Sequence, residues 1–307
     1  MLGLVASTAA FMLPMAGRPA VASERGGALL MGAEMGTSAG LKTATLTNAA
    51  GHSATVYTFG ACVTSYVVDG DDKLAVRPDA KLDGSKPISG GIPFCFPQFG
   101  PGAIQQHGFA RNCEWEVGAL TDGDEPSITL TLKDNDYTRG MWDHAFACEY
   151  TVTLAPAALE TAFKVTNTGG APFDFTAALH SYWSVSSISN LKIASPALEG
   201  ATYLDKTASP PAKTTQPSAE IAISAETDSV YAGVTGDVRL IDAGKKSTLT
   251  ISNSEGWEDT VVWNPYGDEG MGYDSFVCVE SAKATEPVTL AAGKSWVGRM
   301  AAIPPSA

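Results

Sequence analysis

The sequence predicts one large all-β domain, an antiparallel sandwich or barrel. Three observations lead to it. Short apolar runs with strand alternation recur about every ten residues beyond residue 36. No helical periodicity persists beyond about two turns. The 31 Gly and 18 Pro residues supply frequent turns between the runs.

The runs follow in order. Leu41–Thr47 and residues 54–59 alternate, joined by the turn Asn48-Ala49-Ala50-Gly51. Residues 61–68 are β-branched and aromatic. Residues 127–132, 146–154 and 159–167 alternate again, and Gly169-Gly170 punctuates the last. Residues 173–185, 229–232, 238–241 and 247–252 continue the pattern. Residues 260–263, 276–280 and Ser295–Ile303 complete it. Residues 207–219, TASPPAKTTQPSA, read as a surface loop. The simplest organisation is one domain over residues 37–304. Residues 1–36 are expected to lie outside the fold as a leader, either a targeting segment or a disordered one. Their apolar start leaves a secretory route open beside a cytoplasmic or plastid location.

The chain carries 33 acidic and 20 basic residues in 307, a formal net charge of -13. That field disfavours nucleic acid and anionic membrane as partners. An anionic substrate would need a local cationic patch. The five cysteines are odd in number and contain no Cys-x-x-Cys pair, so neither a disulfide framework nor a zinc site is expected. Buried free thiols are the expectation.

Dinucleotide and phosphate-loop glycine motifs and His-Glu-x-x-His are absent from the sequence. Two groups stand out among the titratable residues. His180 sits in an apolar strand, and Glu280 ends the run Phe276-Val277-Cys278-Val279, which is apolar on both faces. A strand of that kind is buried on both sides. A carboxylate there is either paired, turned to solvent, or held in a cleft as a general base. Residues 90–117, GGIPFCFPQFGPGAIQQHGFARNCEWEV, form a rigid, aromatic, polar-tipped stretch of the kind that carries sites on β scaffolds.

That stretch resembles the signature of the hexose-6-phosphate mutarotases, the glucose-6-phosphate 1-epimerases of the aldose 1-epimerase superfamily. GACVTSY at 60–66, LHSYWSV at 179–185, ETDSVYAG at 226–233, VVWNPY at 261–266 and FVCVESA at 276–282 match in the same order. The resemblance implies a galactose-mutarotase-like β-supersandwich, a large antiparallel sandwich with an open sugar-binding cleft. It implies interconversion of α and β anomers of glucose 6-phosphate by acid–base ring opening and closure. By that resemblance His180 is the acid and Glu280 the base, while Gln106, His107, Arg111 and Asp228 contact substrate. It also implies no metal, no organic cofactor and a monomer, with a small-molecule sugar or sugar phosphate as the only partner.

One position departs. The family usually has Arg immediately before Gly-Gly-Ile-Pro, where it helps hold the 6-phosphate; here the residue is Ser89. Arg offers phosphate a charged planar fork and Ser a single hydroxyl. Arg111 remains, and Lys86 or Arg77 would compensate if the loop brings either near. Two alternatives therefore stay open: an aldose 1-epimerase acting on a neutral sugar, and a non-catalytic carbohydrate-binding protein.

Overall fold

The computed structural model describes residues 31–305. Strands assort into three antiparallel sheets of five, nine and eight strands. In the nine-stranded sheet, Phe146–Ala155 alternates as the sequence does. Phe146, Cys148, Tyr150, Val152 and Leu154 are buried, and the residues between them are partly exposed. One face of this sheet therefore meets a core and the other meets water.

The eight-stranded sheet covers that inner face. Its Phe94 packs on Tyr150 and Phe163 of the nine-stranded sheet at ring separations of 4.6 and 4.7 Å. Its Phe175 meets Trp296 at 5.5 Å. The result is a face-to-face sandwich. The five-stranded sheet adds Ala44, Leu46, Val56 and Val63 to the same core. All five cysteines are free and buried, as their spacing suggests. Among the described residues, no helix is long and apolar enough to cross a membrane.

The strand Phe276–Leu290 behaves differently from Phe146–Ala155. From Phe276 to Lys283 every residue is buried. Val277 and Val279 face the sandwich core, while Phe276 and Cys278 pack with Tyr182 in a separate cluster. The outer face of the eight-stranded sheet is thus also covered, and it forms the floor of a recess.

Several boundaries differ from expectation, each for a physical reason. The run 276–280 continues to Leu290, so Glu280 lies inside a strand instead of at its end. The run 173–185 is two strands, Phe173–Leu179 and Tyr182–Ser184, interrupted at His180 and Ser181. The first strand, Gly32–Ser38, overlaps the expected leader; its mostly exposed residues carry no burial pattern, but it pairs along its length with Leu41–Thr47. The rest of that leader lies outside the described residues. The surface loop 207–219 contains an exposed edge strand, Ala212–Thr215, paired with Thr202–Asp205.

Gly90 and Gly91 explain how the residues before Pro93 thread through the fold. Both have positive φ, 140° and 68°. A Cβ at Gly90 would meet the backbone of Val76, and one at Gly91 the carbonyl of Val63. Only glycine permits both the conformation and the approach. Replacing Gly91 with Ala should therefore lower stability by about 1–3 kcal/mol, measured by chemical denaturation. Wild-type stability in that variant would contradict the close packing.

Candidate active site

The sheet register builds the site. On the outer face, Val230, Val261 and Glu280 form one cross-strand row. Asp228, Trp263, Cys278 and Tyr182 form the next. Leu179 pairs with Ser281 and Tyr182 with Cys278, so the same register carries His180 directly across from Glu280. Their side chains meet, with His180 Nδ1 at 3.3 Å from Glu280 Oε1. Neither His180 Nδ1 nor Glu280 Oε2 has a hydrogen-bond partner, although both are buried. Orphaned polar atoms of this kind are rare in folded interiors and cluster at functional sites.

Burial pushes the Glu280 carboxyl well above its usual range, and the neighbouring Asp228 adds to the rise against Lys206 and Arg111. Burial also pushes the His180 imidazole well below its usual value, with neighbouring His107 and Arg111 adding. Both directions favour an uncharged pair, whereas the short contact favours carboxylate against imidazolium.

All six residues expected at the site line one cavity of about 260 Å³. Gln106, His107 and Arg111 reach it from the loop above the sheet. The Arg111 Nη2 donates to the Gln106 carbonyl at 2.9 Å, and its buried Nε has no partner. Asp228 pairs with Lys206 at 2.9 Å. The aromatic wall is formed by Tyr182, whose ring stacks on His180 at 5.0 Å, and by Trp263, edge-on to His180 at 5.7 Å.

Three cations, Arg77, Arg111 and Lys206, line the cavity. Lys206 pairs with Asp228 and Arg77 with Asp79, while Arg111 has no carboxylate partner among the described residues, so these three groups are the cations available to an anion in an acidic chain. Arg77 is one of two cations weighed from sequence; the other, Lys86, is exposed and does not line the cavity. Sequence reasoning missed Lys206, Tyr182 and Trp263 as site residues. His144, considered for the rim, instead packs on Trp142 and Phe173 at 4.6 and 5.3 Å.

His107 has an unusual setting. Its backbone lies in the left-handed region, φ 64°, uncommon for a residue with a side chain. Its Nδ1 accepts the Gly100 N–H at 3.2 Å and lies 3.0 Å from the Cys95 sulfur. The proton of the neutral ring therefore sits on Nε2. Burial, reinforced by Arg111 and Lys206, pushes its pKa down to about 3. His107 is a neutral donor, 5.4 Å from the His180 ring.

Ligand atoms of His180, Cys278 and Glu280 lie within 4.8 Å of one another, a spacing that a metal ion could bridge. Burial, and then the Glu280 charge, push the Cys278 thiol well above its usual value. Coordination would have to displace that proton. An acid and a base facing each other beneath neutral and cationic donors can instead move protons at two oxygens of one polyol without a metal.

The aldose 1-epimerase family profile matches residues 42–302. A Cenchrus ciliaris protein named "Putative glucose-6-phosphate 1-epimerase" is 35% identical over 295 residues, covering 88% of this chain and 87% of that one. A Salmonella typhimurium protein of the same name is 31% identical over 212 residues, covering 65% and 69%. In three dimensions, the crystal structure of "a putative mutarotase (YeaD)" from Salmonella typhimurium aligns with a TM-score of 0.81 at 25% identity. That alignment covers 91% of this chain and 96% of the other.

The depressed His107 pKa has a measurable consequence. The unfolded chain binds a proton that folded His107 refuses, so stability is withdrawn as pH falls from 6.5 toward about 3. Between about pH 5 and 8, nitrogen-resolved imidazole NMR should show His107 neutral and protonated on Nε2. A titration midpoint near 6.5, the ordinary histidine value, would contradict this reading.

Proposed function

This chain belongs to the aldose 1-epimerase family, and we propose that within it the protein is a hexose-6-phosphate mutarotase that interconverts the anomers of glucose 6-phosphate. The observation that carries the reading is the buried His180–Glu280 pair at the floor of a cavity lined by three cations.

In the proposed mechanism, the Glu280 carboxylate takes the proton from the anomeric hydroxyl. The electron pair left on that oxygen forms the C1–O1 double bond, and the C1–O5 bond breaks. His180, as imidazolium, gives its proton to the departing ring oxygen. The sugar is now an open-chain aldehyde, Glu280 is protonated and His180 is neutral. Rotation about C1–C2 presents the other face of the aldehyde. His180 then takes the proton back from O5 as it attacks C1, and Glu280 returns one to O1. Every proton and electron pair is recovered, so the cycle needs no co-reactant.

The raised Glu280 pKa suits a base that must compete for a sugar hydroxyl proton near neutral pH. The neutral Nε2–H of His107 can donate to a sugar oxygen without adding charge beside the acid. Trp263, half-buried in the cavity lining, offers an apolar surface to the C–H side of a pyranose. A non-catalytic binder would need neither an acid nor a base. The neutral-sugar reading draws on Ser89 alone, and the two arginines and one lysine lining the cavity favour a phosphorylated substrate over it.

NMR exchange spectroscopy on glucose 6-phosphate, glucose and galactose tests the assignment. Exchange of glucose 6-phosphate should far exceed its spontaneous rate; acceleration of neutral sugars alone would overturn the phosphosugar reading. Replacing Glu280 with Gln should slow exchange about a hundredfold to ten-thousandfold while sugar still binds. Because the active pair carries one proton, kcat/KM should fall as pH rises and removes it, through a midpoint above 4.5, the ordinary glutamate value. A midpoint at or below that value would count against Glu280 as the base.

A further inference from the structure

We infer that Arg77 supplies the phosphate clamp of this cavity and that Ser89 is the small residue that makes room for it. The inference rests on the sugar-phosphate reading above and names the residue that would select the phosphate. Val76 bridges Gly90, and the Arg77 N–H donates to the Ser89 carbonyl at 3.0 Å. Arg77 and Ser89 are therefore cross-strand neighbours, and both line the cavity. A side chain from either position can enter the same space. Ser89 leaves that space free, and Arg77 reaches into it.

The guanidinium is held in one orientation. Asp79 accepts from Arg77 Nε at 2.9 Å and from Nη2 at 2.6 Å, a bidentate pair that fixes the plane of the group. The Tyr182 hydroxyl also approaches the guanidinium, so a ligand would take the donors that Asp79 and Tyr182 leave. Tyr182 lies beside the guanidinium, one cross-strand row away from the His180–Glu280 pair. Two residues of strand rise separate such rows by about 7 Å. A pyranose whose anomeric carbon meets the pair can thus extend its distal substituent toward Arg77. Arg111, with an unpartnered buried Nε, supplies a second cation to the same cavity. An arginine at both 77 and 89 would crowd two like charges into one cross-strand position, which is unfavourable.

The test compares kcat/KM for glucose 6-phosphate with that for glucose, by NMR exchange, in wild type, R77S, R77K and the double exchange R77S/S89R. Competitive inhibition by inorganic phosphate is measured alongside. R77S should lower the ratio about tenfold or more, chiefly through the KM for the phosphosugar, and weaken phosphate inhibition in parallel. R77K, which keeps the charge but not the fork, should fall between. The double exchange should recover much of the ratio, because the guanidinium returns to the same space from the other strand. A ratio that stays at the wild-type value in both R77S and R77K overturns the inference. Failure of the underlying reading looks different: wild type itself would then prefer the neutral sugar.

Discussion

The structure depends on one strand segment, Phe276 to Lys283, that is buried on both faces. Its inner side is locked by Val277 and Val279 in the sandwich core and by the Trp183 indole donating to the Val279 carbonyl at 2.9 Å. Its outer side carries Cys278 and Glu280. Because side chains alternate, a slip of one residue would drive Glu280 into the core and Val279 into the cavity. Packing on one face thereby sets the chemistry on the other. The same register, extended across three neighbouring strands, sets Asp228, Trp263 and His180 around that carboxylate.

The balance at this pair is electrostatic. Carboxylate with imidazolium and carboxylic acid with imidazole hold the same number of protons. Desolvation favours the neutral arrangement, and the 3.3 Å contact favours the charged one. Ring opening would convert the second into the first, and ring closure would convert it back. A pair whose two forms lie close in energy can serve both halves of a reversible reaction without a deep resting state. Lys206 and Arg111 pull the carboxyl pKa down while burial and Asp228 pull it up, so the cavity walls tune that balance.

Much of this was legible in the residues, and the gaps have physical causes. Leu41–Thr47 and Ser295–Ile303 carry enough alternation for their limits to match the sequence reading. Gly32–Ser38 and Ala212–Thr215 are largely exposed, so no hydrophobic period marks them. Glu280 was visible because a charge interrupts a run that is apolar on both faces. The break at His180 and Ser181 was not, since both neighbours are strand-like and only the pairing reveals it. Lys206 sits beside a Thr- and Pro-rich stretch with no signature of its own; its role in the cavity follows from Asp228 across the sheet. Gln106, His107 and Arg111 came from the resemblance of a long motif, and no spacing argument would have brought them to the same cavity as Glu280.

The contact between Arg77 and Ser89 bears on how substrate preference is inherited. Two segments joined by one isolated bridge give two sequence positions access to one volume, so a charge could change its point of attachment without changing its location. A comparison made column by column then records a loss at one position and an unrelated gain at another. The cavity itself registers neither. If Arg77 holds the phosphate, ligand selectivity here belongs to two facing backbone positions and not to either alone.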